Sequence, residues 1–152
     1  MHFYNLMKEL SNKKEVILFV DMDGVIASYD IGRPFDFLNK RPLMIRIKEL
    51  EEVSKLPNIE ICILSICRKD FQINEKNEWL DKYAPYFKKE NRFIISKESK
   101  EGFTSAEIKA DFLEEFKTDK QKVFVDDDNM VLKKVGENIE NIIIYQDSEL
   151  DD

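Results

Sequence analysis

The sequence predicts a three-layer α/β domain, in which a parallel, Rossmann-like sheet of five strands carries helices on both faces. Three observations carry this prediction. Short runs of β-branched and apolar residues, too continuous for half-buried strands, alternate along the chain with amphipathic stretches. Three of the runs end in small polar residues, as strands do when their carboxyl ends line a ligand crevice. The 152 residues are 43% hydrophobic and 36% charged, enough for one domain with its own core.

Each element has its own signal. Phe3, Leu6, Met7 and Leu10 follow the i, i+3, i+4, i+7 rule and open the chain with a short helix. Val16–Asp21 is the first strand. Ala27–Arg41 contains Gly32 and Pro34, precedes Pro42, shows no period and reads as a loop. Pro42 begins a helix to about Lys55, with Leu43, Ile47, Leu50 and Val53 inward. Ile59–Leu64 is the second strand, and a helix around Asn74–Tyr83 stops near Pro85. Phe93–Ile95 is the third strand. Thr104 or Ser105 caps a helix to about Phe116. Lys122–Val125 is the fourth strand, Met130–Val135 a short helix and Ile142–Tyr145 the fifth strand. The acidic tail, residues 147–152, is expected to fray. With right-handed crossovers, strands two and three add to one side of strand one, and four and five to the other. The order is then 5-4-1-2-3, and the crevice opens between strands one and four.

Chemistry concentrates at that crevice. Val16-Ile17-Leu18-Phe19-Val20-Asp21-Met22-Asp23-Gly24 is a buried strand ending in two carboxylates. Strand side chains alternate, so an extended Asp21 and Asp23 lie on one face. Two carboxylates that close resist joint ionisation unless a cation lies between them or one keeps a proton. Val123-Phe124-Val125-Asp126-Asp127-Asp128-Asn129 repeats the pattern with three acids in a row, and the second strand ends at Ser65. A polar turn alone also accommodates Asp and Gly. Three strands ending this way favour a site over three separate turns.

The net charge of −7 argues against binding to nucleic acid or anionic membranes through bulk charge, though it is compatible with a local basic patch. Cys62 and Cys67 fit neither a common zinc pattern nor a redox pair; Cys62 reads as core and Cys67 as a loop thiol, both reduced. No apolar run approaches the roughly 18 residues of a membrane span. The first residues lack the apolar core of a signal peptide, so the expectation is a cytoplasmic protein.

The motifs resemble those of the haloacid-dehalogenase-like phosphohydrolases. Asp21-Met22-Asp23-Gly24-Val25 is similar to their first motif, Ser65 to their second, and Val125-Asp126-Asp127 to their acidic fourth. With Glu75-Lys76-Asn77-Glu78-Trp79-Leu80, the chain most resembles the 5′(3′)-deoxyribonucleotidase-like members. The resemblance implies phosphate-monoester hydrolysis. It implies Asp21 as the nucleophile that forms an aspartyl-phosphate, and Asp23 as the acid and base. Mg²⁺ is the implied cofactor, held by Asp21, the Asp23 carbonyl, and Asp126 or Asp127. Ser65, Lys109 and backbone groups at Met22, Gly24 and Ile66 are the implied phosphate ligands. For the family's lysine, Lys109 is favoured and Lys97 and Lys100 are alternatives.

Family members acting on small metabolites usually carry a cap, and only 25–41 is available here as a short lid loop. Arg33, Phe35 and Phe37 are its candidate substrate contacts; equally, the phenylalanines pack the loop onto the body. The expected partner is a small phosphorylated substrate, with a nucleoside monophosphate as candidate. A phosphorylated polymer or protein suits an open cleft too, and a second copy of the chain could cover it. Two other readings fit the residues less well. A phospho-accepting receiver domain needs an Asp after the third strand, where Phe93-Ile94-Ile95-Ser96 offers none. A non-catalytic binding module would be expected to lack Asp21 or Asp23.

Overall fold

The computed structural model describes residues 1–29 and 36–151. The lid candidates Arg33 and Phe35 lie outside the described residues. Five parallel strands form one sheet: β1 (Val16–Val20), β2 (Ile59–Cys67), β3 (Arg92–Ser96), β4 (Gln121–Asp126) and β5 (Ile143–Gln146), in the order β3-β2-β1-β4-β5. This is the order read from the sequence. β1 is central, with Val20 registered against Ile63 of β2 and Val125 of β4.

The β1 sequence explains why both sheet faces are covered. Val16, Leu18 and Val20 point into one core and Ile17 and Phe19 into the other, as a two-residue period requires. The first core takes Phe3 and Met7 from α1 (His2–Lys13), Ile47, Leu50 and Val53 from α2 (Met44–Ser54), and Trp79 and Leu80 from α3 (Phe71–Tyr83). The second takes Ala110 and Leu113 from α4 (Ser105–Glu115) and Val131, Leu132 and Val135 from α5 (Asn129–Asn138). The helices change face as the chain passes from β3 to β4, which leaves a crevice at the carboxyl ends of β1 and β4.

Several boundaries move, each for a physical reason. β2 runs to Cys67 because Ile63–Cys67 pairs with all of β3, so Ser65 lies inside the strand. Cys67 is therefore not a loop thiol: it is buried, and its Sγ donates to Lys69 O. α3 starts at Phe71, because Gln72 Oε1 accepts from the Arg68 and Lys69 N–H groups and folds the preceding turn onto the helix. Thr104, not Ser105, caps α4, in a complete capping box with Glu107. The acidic tail is not frayed as far as Asp151. Asp147–Leu150 forms a 3₁₀ turn, Leu150 is fully buried, and Arg46 pairs with Asp147 at 3.0 Å and Asp151 at 2.6 Å.

Candidate active site

Asp21 follows β1 directly. Its N–H donates to Val125 O, which continues the sheet ladder by one residue and fixes the carboxylate beside β4. The chain then turns tightly. Met22 O accepts from the N–H groups of Val25, Ile26 and Ala27, and Gly24 N–H donates to Ala27 O. The Gly24 N–H is thus used inside the turn. What Gly24 gives the site is space: at φ +82° it faces Asp127, and a Cβ there would lie 2.0 Å from Asp127 Oδ2.

Two lysine-centred groups form the cleft. Lys109, on the inner face of α4, is buried between Asp21 Oδ1 at 3.0 Å and Asp126 Oδ2 at 2.7 Å. The other candidates line other cavities: Lys97, exposed just after β3, lines the adjoining one that Asp23 also lines, and Lys100 a separate one with Phe103. Asp21, Asp126 and Asp127 each offer a carboxylate oxygen, all within 4.8 Å of one another. Asp128, the last acid of the run, caps α5 by accepting from Met130 N–H.

The second group surrounds Asp23. Lys76 of α3 donates to Asp23 Oδ2 at 3.1 Å, Ser65 Oγ at 2.6 Å and Ile66 O at 3.0 Å. Lys40 donates to Asp23 Oδ1 at 2.8 Å. Both lysines are buried. Lys40 is held from behind, because its carbonyl accepts from Trp79 Nε1. Phe37 is buried edge-on against Trp79, and both ammonium groups lie over its ring. It therefore supports Asp23's partners from below instead of presenting a free stacking face.

Lys40 and Lys76 belong to the candidate cleft although the motifs assign them no role; Lys76 enters the sequence reading only within residues 75–80. Lys76 had a legible signal. With Gln72, Trp79 and Leu80 it occupies the buried stripe of α3, and a lysine there needs a partner. Lys40 had none, since it follows a 3₁₀ turn, Phe37–Asn39, whose position depends on tertiary packing.

The two groups differ electrically. Burial pushes Asp21 up to about 7, against the pull of Lys109. Burial likewise raises Asp126, and raises Asp127 to about 6 with help from the Asp21 charge. Burial works against charge on Lys109 too, but Asp21 and Asp126 outweigh it and keep the ammonium. Burial also opposes charge on Asp23, yet Lys76 and Lys40 prevail, and its carboxyl sits below the ordinary range. The acid-rich group is a set of hard oxygen donors carrying more negative charge than Lys109 neutralises, which suits a cation such as Mg²⁺.

The fold has a solved counterpart. The chain is similar to one in the "Structure of Pnkp1/Rnl/Hen1 complex", with a TM-score of 0.68 and 15% identity over 88% of this chain. It spans 46% of that chain's length, less than half. The similarity is one of fold. No family model and no curated protein matches the sequence. No helix among the described residues is long and apolar enough to cross a membrane.

Proposed function

We propose that this chain is a Mg²⁺-dependent phosphatase of the haloacid-dehalogenase-like type, hydrolysing phosphate monoesters, nucleoside monophosphates among them, through an aspartyl-phosphate on Asp21. One observation carries the reading: buried Asp21, held by Lys109, shares a cleft with Asp23, whose two oxygens are held by a different pair of lysines. The two carboxylates stand in unlike environments, as two distinct roles require. The motif order and the fold likeness support the same reading.

In the first step an Asp21 oxygen attacks phosphorus, the ester P–O bond breaks, and the departing alkoxide takes a proton from Asp23. In the second, water attacks the aspartyl-phosphate, Asp23 takes the water's proton, and inorganic phosphate and free Asp21 are released. At rest Asp23 is a carboxylate between two ammonium groups. Its first proton can arrive with the substrate, since a phosphate monoester with a second pKa of about 6 is roughly one-tenth monoanion at pH 7. Lys76, through Ser65 Oγ, sets a donor pair for the phosphoryl oxygens, and Lys109 orients Asp21. Mg²⁺ held by Asp21, Asp126 and Asp127 would neutralise charge on the phosphoryl group.

The test is release of p-nitrophenol from p-nitrophenyl phosphate by the purified protein. Turnover in Mg²⁺ that stops in excess chelator is expected. No turnover in Mg²⁺, or full turnover in chelator, contradicts the proposal.

A further inference from the structure

The cleft has two halves of opposite charge. A cavity of about 450 Å³ contains Asp21, Asp126, Asp127 and Asp128 with Lys109 as its one lysine among the described residues. The adjoining cavity, about 250 Å³, is lined by Lys40, Arg68, Lys76 and Lys97. Asp23 lines both, and in the second it is the one carboxylate among the described lining residues. Two of the four cations, Lys40 and Lys76, are buried with their ammonium groups on Asp23, while Arg68 and Lys97 are exposed. Among the described residues the buried ammonium groups outnumber their carboxylate, so this lining is basic in a chain whose net charge is −7. Bulk charge does not explain such a patch.

Position gives the patch a role. Resting on the proposed phosphatase reading, the scissile phosphoryl group lies against Asp21 in the acidic half, and its leaving oxygen faces Asp23. Whatever is attached to that oxygen extends past Asp23 into the basic half. We infer that the basic half, through Lys40, Arg68 and Lys97, binds a second phosphoryl group carried by the leaving alcohol, while Lys76 stays on Asp23 and Ser65. The preferred substrate is then a bisphosphate or a phosphorylated nucleotide chain end, not a simple monophosphate. Tyr29, exposed and lining both cavities, stands where an attached ring could lie against it. α4 adds a helix N-terminus, opening on both halves through Ser105.

Calorimetric titration of the Asp21→Asn variant in Mg²⁺ tests this without turnover. The probes are adenosine 5′-monophosphate, adenosine 3′,5′-bisphosphate and a 5′-phosphorylated dinucleotide. The bisphosphate is expected to bind about tenfold more tightly than the monophosphate, the scale of two charge pairs at a partly open site. Adding Arg68→Gln and Lys97→Gln should reduce that ratio to about twofold or less. A dinucleotide that matches the bisphosphate identifies chain ends as the source; one that matches the monophosphate identifies small bisphosphates. Equal binding of mono- and bisphosphate, or an advantage that survives the double substitution, overturns the inference. Hydrolysis of p-nitrophenyl phosphate by the unmodified protein reads the underlying phosphatase proposal separately, because that ester has no second phosphate.

Discussion

Gly24 and Asp127 share one space: a Cβ on Gly24 would lie 2.0 Å from Asp127 Oδ2, and the glycine's φ is +82°. Gly24→Ala therefore both strains the turn and expels Asp127 from the carboxylate cluster. We expect a loss of about 1–3 kcal/mol in denaturant unfolding. We also expect the stabilising effect of added Mg²⁺ to weaken by at least about tenfold in half-saturating concentration. An alanine variant with unchanged unfolding and metal response would show that the contact is not constraining.

Lys76 joins three acceptors, Asp23 Oδ2, Ser65 Oγ and Ile66 O. Lys76→Met keeps the buried stem and removes the donors. Ser65 is fully buried, so its hydroxyl loses a partner that water cannot replace easily. A cost of about 1–3 kcal/mol is expected in chemical unfolding. The loss in kcat/KM on p-nitrophenyl phosphate should reach about 10²-fold or more. A variant that is less stable yet equally active would confine Lys76 to packing.

Metal and protons compete for the same carboxylates. Asp21 is raised from 3.8 to about 7 and Asp127 from 3.8 to about 6, so between these limits the folded chain holds more protons than the unfolded one. The metal-free fold accordingly loses stability as pH rises from about 4 to 7. Mg²⁺ binding requires the carboxylates deprotonated, so its stabilisation grows over the same range. Melting curves from pH 5 to 8, with and without Mg²⁺, should separate progressively. A gap that is constant or shrinks with pH would contradict the assignment of these acids to the metal.

Leu150 is fully buried in a tail whose acids pair with Arg46. Leu150→Ala should cost about 2–4 kcal/mol, read from denaturant midpoints. If the tail were frayed, the substitution would be silent.

The element order was legible because β1 and β4 are apolar on both faces and the helices between strands carry periodic apolar stripes. The ends were less legible. Ser65 resembles a strand terminus by its polarity, but the β2–β3 register carries the strand two residues past it. Phe71 begins α3 while 61% exposed, and so contributes nothing to a buried stripe. At the site, Asp21, Asp23 and Asp126 stood out because carboxylates ending buried strands are conspicuous. In the sequence Lys109 is one of three candidate lysines; the fold places it between Asp21 and Asp126. Lys40 depends on Trp79 and Asp23, which only the folded chain brings to it.

Trapping the phosphoenzyme is the direct test of phosphoryl transfer to Asp21. The protein is mixed with a radiolabelled phosphate monoester and Mg²⁺, quenched in acid during turnover, digested and mapped. Hydroxylamine-sensitive label is expected on the peptide containing Asp21, and none in folded Asp21→Asn. Steady turnover without covalent label, or label on a different residue, would contradict transfer to Asp21.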